Sequence, residues 1–173
     1  MSPKPPKLSG LDTWDVFLKL FLSALAARPR RRLRRDTLAA VKAISLVGVW
    51  RLIHTEATDA TGRRLTAPYG GDQATGLICF SDDGRMACVL CDGNPNLAKG
   101  QTREYVSYCG VYRIEGEQLI TEVDASSRAD WMGTEQVRTW VLTGDMLELR
   151  PPLRAYAAAP EQRVLRWQRV GDL

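Results

Sequence analysis

The chain of 173 residues is long enough for one folded domain with an extension. Hydrophobic residues make up 45% and charged residues 25%, which is typical of a soluble chain with a core. The formal charge of +4 is uneven, because residues 1–45 hold ten basic residues against three acidic ones. A basic arm beside a mildly acidic body argues against a nucleic-acid-binding domain.

No run of residues is apolar enough to span a bilayer. The stretch VFLKLFLSALAA resembles the apolar part of a secretion signal, but charged residues interrupt it and an arginine block follows it. The chain has four cysteines, and without a secretion signal they favour a reduced protein. We therefore expect a cytoplasmic location.

Residues 1–45 are predicted to form a basic, helical arm that precedes a domain over residues 46–173. Apolar residues at helical spacing predict an amphipathic helix over 11–27, and a second, shorter helix is predicted over 31–44. Pro29 separates the two helices. The arm can cover its own domain, form a homodimer contact, lie on a membrane surface or act as a lid.

Six arginines lie between Arg28 and Arg35. Guanidinium groups suit phosphates and carboxylates, so this run can dock an acidic partner such as a carrier protein or an anionic membrane surface. The alternative is a solvated face of mutually repelling charges. The run has no interleaved aromatic residues, so we expect no nucleic-acid partner.

From Leu46 the pattern changes to short runs of period-2 alternation separated by turn residues. About eight such strands follow at hairpin spacing. Closure of the sheet removes exposed strand edges, and eight strands can enclose one small ligand. The predicted fold is therefore mainly β, an antiparallel up-and-down barrel of the lipocalin or calycin type behind the helical arm.

Three glycine turns fix the predicted strand pairing. The turn Gly116-Glu117 places Tyr112 and Ile114 on one face with Leu119, and Gly144-Asp145 places Leu142 opposite Leu147. A two-residue turn at Asp83-Gly84 would place Cys79 opposite Cys88 and Leu77 opposite Leu90. That pairing makes a Cys79–Cys88 disulfide geometrically conceivable, although a reducing compartment disfavours it.

The residues from Leu46 to Val170 resemble the lipocalin-like domain family of bacteria and fungi. The matching segments are Leu46-Val47-Gly48-Val49-Trp50, Gly76 to Met86, Tyr105 to Tyr112, Gly133-Thr134-Glu135-Gln136-Val137-Arg138, and Leu165 to Val170. Some members of this family occur with natural-product pathways. The resemblance therefore implies a barrel that binds a small hydrophobic or amphipathic molecule, with a cyclase or isomerase activity as an extension.

Ligand contacts are predicted on the inward faces of the central strands. Gln136 and Arg138 are polar residues on a face otherwise built of Trp and Leu, and an Arg fork can hold a carboxylate, enolate or carbonyl oxygen. The other predicted contacts are aromatic side chains, namely Trp50, Tyr108, Tyr112, Trp131 and Trp140. Alternatively, Arg138 stacks on Trp50 or pairs with a buried carboxylate and closes one end of the barrel.

Catalysis, if present, is predicted to use Arg138 and Tyr108 as groups that polarise a carbonyl, in a cavity that folds a polyene or polyketide-like substrate. His54 is the single histidine, and its spacing from Trp50 and Leu52 predicts the same inward face, where it could act as a base. The rival hypothesis is a non-catalytic scaffold whose arm makes the functional contact.

Metal and cofactor sites are not expected. A single histidine excludes a multi-histidine metal site, and Cys88 and Cys91 point to opposite faces of a strand. The sequence also has no phosphate-binding glycine loop, no nucleophile elbow and no dinucleotide fingerprint. We therefore expect a protein without a cofactor.

Overall fold

The computed structural model describes residues 46–156 and 159–171. The strands of this part, in chain order, are β1 (Gly48–Asp59), β2 (Ala74–Phe80), β3 (Arg85–Asp92), β4 (Tyr105–Glu115), β5 (Gln118–Ser126), β6 (Glu135–Thr143), β7 (Met146–Arg150), β8 (Arg154–Ala155) and β9 (Pro160–Gly171). Short 3-10 turns occupy Pro68–Gln73 and Ala129–Trp131. The predicted arm, residues 1–45, lies outside the described residues, so its helices and contacts stay predictions.

Eight of these strands form a closed antiparallel barrel. Strands β1 to β7 pair in chain order, β7 pairs with β9, and β9 pairs with β1. The two-residue strand β8 pairs with the first residues of β9. Closure gives the edges of β1 and β9 their hydrogen-bond partners, which an open sheet would leave exposed. The predicted up-and-down barrel of about eight strands is confirmed.

The two ends of the barrel differ in how the strands are connected. The tight turns after β2, β4 and β6 all lie at the end where β1 begins, and we call this the hairpin end. The longer connections over residues 60–73, 93–104 and 127–134 lie at the opposite end, together with β8, and we call this the loop end. Side chains at the loop end of the barrel are therefore next to long connections, whereas those at the hairpin end are next to tight turns.

The strand registers of two predicted hairpins are confirmed. Ile114 lies opposite Leu119 across the first turn, and Leu142 lies opposite Leu147 across the second. Gly116 has a φ of 63° and Gly144 a φ of 57°, the conformation that a two-residue turn requires and that glycine adopts without a steric cost. The inward faces are consequently those that the alternation predicts.

The predicted register of the β2–β3 hairpin is wrong by one residue. Cys79 lies opposite Ala87, and Cys88 lies opposite Ile78. Likewise, Leu77 pairs with Val89 and not with Leu90. The reason is a loop of three residues, Asp82 to Gly84, in which Gly84 takes a φ of 83°. Cys88 is buried inside the barrel and Cys79 is on the other face of the sheet, so these two thiols cannot form a disulfide.

The barrel interior is filled by inward-facing apolar side chains from almost every strand. Those with the lowest exposure are Trp50, Ile78, Phe80, Leu119, Val123, Leu147 and Trp167. Burial of each aliphatic or phenyl side chain contributes about 1.5–3 kcal/mol. At Gly110 the neighbouring strand comes so close that an added Cβ would lie 1.8 Å from the Glu122 carbonyl oxygen. Within the described residues, no helix has the length and hydropathy needed to cross a membrane.

Candidate ligand cavity

A cavity of about 330 Å³ occupies the loop end of the barrel. This volume is at the lower end of the range of about 300–1,000 Å³ that is usual for ligand sites. Its apolar wall comes from inward-facing residues of four strands, namely Leu90, Val106, Leu149, Leu165 and Trp167. Its polar wall comes mainly from the loops and β8. The cavity therefore has one apolar and one polar side, as an amphipathic ligand requires.

Arg138 is the most deeply buried charged residue of the cavity wall. The alternation of β6 turns it inward with Gln136, and only 8% of it is exposed. Its Nη1 donates to the Val137 carbonyl oxygen at 2.7 Å, and its Nη2 donates to Gln136 Oε1 at 3.3 Å. Arginine has five N–H donors, so these two bonds leave donor capacity for a ligand.

Gln136 supports Arg138 and is not itself part of the cavity wall. Its Nε2 donates to Thr134 Oγ1 at 3.3 Å while its Oε1 accepts from Arg138. Both ends of the amide are therefore used within the protein. The predicted direct ligand contact of Gln136 remains untested, and the geometry gives it a role in orienting the guanidinium.

The four arginines of the cavity wall fall into two pairs. Arg128 forms an ion pair with Asp130 at 3.0 Å, and Arg163 forms one with Glu161 at 2.7 Å. Arg138 and Arg154, which line the same cavity, make no ion pair with any carboxylate that the structure describes. Two guanidinium groups of the cavity wall therefore lack a close carboxylate partner in the described residues, although the charge of Arg154 also acts on the Asp130 carboxylate.

Trp131 holds these guanidinium groups together. Arg138 and Arg154 lie over its ring at 5.8 Å and 5.5 Å from the centroid. Its ring also meets Tyr108 edge-on, with the centroids 5.5 Å apart. Cation–π contacts of this kind are worth about 0.5–2 kcal/mol, and they orient an arginine without neutralising it. Trp131 can thus position both charges and still leave them available to a ligand.

Two further donors of the cavity residues have no hydrogen-bond partner in the described part of the chain. They are the indole Nε1 of Trp167, which is 1% exposed, and the hydroxyl of Tyr156. Buried polar groups are nearly always hydrogen-bonded, and leaving one without a partner costs about 1–3 kcal/mol. Both residues line the cavity, where a bound molecule can supply the missing acceptors.

Burial keeps the weakly acidic groups of the cavity in their neutral forms. It raises the pKa of the Cys88 thiol to about 12 and the pKa of the Tyr69 phenol to about 12. Burial also raises the pKa of Tyr108, although the nearby Arg138 opposes that change. At neutral pH these groups are thiol and phenols, which donate hydrogen bonds and add no negative charge beside the arginines.

Three of the predicted contact residues meet at this cavity, namely Tyr108, Trp131 and Arg138. Tyr112, by contrast, lies toward the hairpin end, where its hydroxyl donates to the Ser81 carbonyl oxygen at 3.1 Å. Trp140 faces inward opposite Leu149 but is not part of the wall. These two side chains belong to the core next to the cavity.

Trp50 also lies at the hairpin end, and the alternative that Arg138 stacks on it is wrong. Arg169 takes that position, with its guanidinium carbon 4.1 Å from the centre of the Trp50 ring. The Trp50 Nε1 donates to the Leu46 carbonyl oxygen at 2.9 Å, and Arg169 Nη1 donates to the Val47 carbonyl oxygen at 2.6 Å. An arginine–tryptophan pair does close one end of the barrel, but a different arginine forms it.

The prediction that His54 faces inward with Trp50 and Leu52 is wrong. The pairing of β1 with β9 contains a bulge between Leu52 and His54, which inserts one residue and reverses the alternation. Thr55 is buried in its place, while His54 Nδ1 lies 2.5 Å from Asp72 Oδ1. His54 is not part of the cavity wall, so the structure does not support the predicted role as a base there.

Sequence reasoning missed Arg154, Tyr156, Arg163 and Trp167 as cavity residues. The alternation of Leu165 and Trp167 in the last strand was a usable signal, because it predicts the same inward face. Arg154 and Tyr156 come from a segment rich in Pro and Ala, which has no periodicity that could assign a face.

An eight-stranded barrel that is filled at one end and has a cavity at the other is a small-cavity β-barrel, a class that can hold one small ligand. The family model described as lipocalin-like domain matches residues 47–170. The protein therefore belongs to the lipocalin-like domain family, as its sequence resemblance predicted. This fold is associated with ligand binding in general.

No curated protein matches the chain. Among solved structures, the chain is similar to the crystal structure of an uncharacterized protein from Bacteroides eggerthii, with 15% sequence identity and a TM-score of 0.37. That similarity covers 70% of this chain and 98% of the other.

Proposed function

We propose that the protein binds one compact amphipathic molecule in the cavity at the loop end. The observation that carries this proposal is the pairing of an apolar wall with arginines that have no carboxylate partner among the described residues. Apolar surface drives binding by leaving water, whereas a few fixed polar groups orient the ligand. Both parts are present in one cavity of about 330 Å³.

The test is to fill the cavity from β4 and compare the result with a change on the outer face of the same strand. Val106 lines the cavity and is 6% exposed, whereas Val111 is 44% exposed on the outside. We expect Val106→Trp to abolish saturable binding of the neutral dye prodan, measured by its fluorescence, and Val111→Trp to keep it. Circular dichroism and thermal unfolding establish that both variants are folded.

Two results would contradict this function. Prodan that binds equally to both variants would have its site outside the cavity. Wild-type protein that shows no saturable binding, of prodan or of any compound in the panel described below, would mean that the cavity does not act as a binding site.

A cofactor-free cyclase or isomerase is the catalytic form of this proposal. Arg138 and Tyr108 would polarise a carbonyl of the bound molecule, since both donate hydrogen bonds in a site that is shielded from water. An isomerase also needs a group that takes up a proton near neutral pH. The hydrogen bond from Arg128 lowers the pKa of the wall carboxyl Asp130 below its ordinary value, so Asp130 does not take up a proton near neutral pH. The described wall thus supports binding more strongly than proton transfer.

The rival hypothesis places function in the arginine-rich arm, which would dock an acidic partner or form a homodimer. Its residues, Arg28 to Arg35, lie outside the described part of the chain. The cavity supports ligand binding inside the barrel, and the described residues provide no comparable observation for the rival hypothesis. Ligand binding is therefore our leading proposal.

A further inference from the structure

We infer that the natural ligand is an organic anion, and that Arg138 and Arg154 hold its carboxylate at the polar side of the cavity. This inference rests on the proposed binding function and specifies its ligand class. It depends on four donor groups of the cavity wall. The guanidinium groups of Arg138 and Arg154 make no ion pair with a carboxylate of the described residues, and the indole of Trp167 and the hydroxyl of Tyr156 have no hydrogen-bond partner there.

Arg138 is a buried positive charge that is only partly paired. A buried ionised group is stabilised only if it is paired and hydrogen-bonded, because it has lost its contact with water. Arg138 is 8% exposed, and its two described hydrogen bonds go to neutral oxygens. A neutral apolar ligand would remove the remaining water from the guanidinium without replacing it. A ligand that supplies negatively charged oxygens compensates for that loss.

The arginines of the cavity wall differ in whether they form an ion pair. The neighbouring Arg128 and Arg163 each have a carboxylate of the protein as partner, whereas Arg138 and Arg154 have none in the described residues. Both of these arginines lie over the ring of Trp131, at 5.8 Å and 5.5 Å, as does the paired Arg128 at 5.5 Å. Two cations near one another repel, and an anion between them would remove that repulsion.

A cationic ligand does not suit this cavity. It would enter a wall with two arginines that make no ion pair in the described residues, which is unfavourable. The acidic side chains of the wall, Glu104 and Asp130, already lie near Arg163 and Arg128. Of the four donor groups, three are donors only, and the Tyr156 hydroxyl also donates. The set therefore selects acceptors, and the planar fork of arginine suits a carboxylate best.

The experiment compares acids with their primary amides, which keep the shape and lose the charge. The probes are cinnamate with cinnamamide and decanoate with decanamide, each titrated by ligand-observed NMR and calorimetry. We expect the wild-type protein to bind at least one acid about tenfold or more tightly than its amide, as charge-assisted hydrogen bonds are about twice as strong as neutral ones.

Variants of the two arginines test whether they cause the preference for acids over amides. Arg138→Met and Arg154→Met are each expected to lower the acid preference to about threefold or less. Arg51→Met removes one positive charge from the outer surface of β1, and we expect it to keep the wild-type preference. Arg138→Lys keeps the charge without the fork and should give an intermediate value. Thermal unfolding shows which variants are folded, and Arg154 provides a test that does not alter a fully buried position.

Each contrary result has its own meaning. If acids and amides bind equally to the wild-type cavity, the ligand is not selected by charge and this inference is wrong, while the binding function stands. If the preference for acids persists in both Arg138→Met and Arg154→Met, these arginines do not hold the carboxylate. If no probe gives binding that Val106→Trp blocks, the proposed function fails and this inference fails with it.

Discussion

The two ends of the barrel each bring an arginine against a tryptophan, with opposite consequences. At the hairpin end, Arg169 lies 4.1 Å over Trp50, donates to the Val47 carbonyl oxygen and lies 3.8 Å from Asp145. At the loop end, Arg138 lies 5.8 Å over Trp131 and has no carboxylate partner in the described residues. The first arginine is satisfied within the protein, and the second is satisfied only in part.

This difference separates a structural pair from a pair to which we assign a role in binding. A buried charge with incomplete pairing lowers stability, so it persists where it serves something other than stability. The first end also packs Trp50 with no exposed surface, whereas the second leaves a cavity of about 330 Å³. The same two residue types thus pack together at one end of the barrel and border a cavity at the other, where we propose that a ligand binds.

The largest expected effect is on the tryptophans themselves. Trp50→Ala should lower the free energy of unfolding by about 3–5 kcal/mol, because it removes a fully buried aromatic side chain from a filled core. Trp131→Ala should cost about 1–2 kcal/mol, since one side of its ring already borders a cavity. Denaturant unfolding measures both values. Equal costs for the two variants would mean that the ends are packed alike.

Variants of Arg169 and Arg138 test the same difference between the two ends of the barrel. Arg169→Met should destabilise the protein by about 1–3 kcal/mol, because the Val47 carbonyl oxygen loses a charged donor. Arg138→Met should leave the stability within about 1 kcal/mol of the wild type, since it also removes a buried charge that is poorly compensated. A loss of 3 kcal/mol or more in Arg138→Met, measured by the same unfolding experiment, would show that Arg138 is a structural residue.

The loss of stability at alkaline pH should originate at the loop end, from the buried Cys88 thiol. The folded protein holds the Cys88 proton to a pKa of about 12, against an ordinary value of 9.0. The unfolded chain therefore loses this proton first, and stability falls as the pH rises from about 9 to 12, by about 1.4 kcal/mol at pH 10. Cys88→Ala should flatten this decline in thermal unfolding scans.

Cys79→Ala, on the outer face of β2, is the control for loss of a thiol. A decline of the same steepness in both cysteine variants would mean that the buried Cys88 thiol is not its cause.

The smallest effects are expected from two tyrosine hydroxyls. Tyr112→Phe at the hairpin end should lower stability by about 0.5–1.5 kcal/mol, because its hydroxyl donates to the Ser81 carbonyl oxygen, and should leave acid binding unchanged. Tyr156→Phe at the loop end should leave stability unchanged and weaken acid binding by about fivefold, because the lost hydroxyl is a donor for the ligand. Stability loss without binding loss in Tyr156→Phe would assign its hydroxyl a structural partner.

Sequence reasoning was most reliable where a turn of fixed length joined two alternating strands. The glycine turns at Gly116 and Gly144 set the register, and with it the inward faces of Tyr112 and Trp140. It was wrong at Asp82 to Gly84, because an Asp-Gly pair fits both a two-residue loop and a three-residue loop. It was also wrong at His54, where a bulge without a glycine reversed the faces of β1.

The partner of Arg138 could not be predicted, for a different physical reason. Which side chains meet across a barrel depends on strand tilt and on the shift in register that accumulates around it. One strand pattern therefore allows Arg138 to face either Trp50 or Trp131. The structure places Arg169 on Trp50 and leaves Trp131 to the arginines of the cavity.

The most direct test of the account is NMR observation of the tryptophan indole N–H groups during titration with cinnamate and with decanoate. The account predicts that the Trp167 and Trp131 signals shift with saturation, because these residues line the cavity, while the Trp50 signal stays fixed by its bond to the Leu46 carbonyl oxygen. Single tryptophan-to-phenylalanine variants assign the signals. A Trp167 signal that does not move under saturating acid, or that moves no more than the Trp50 signal, would contradict binding at the loop end.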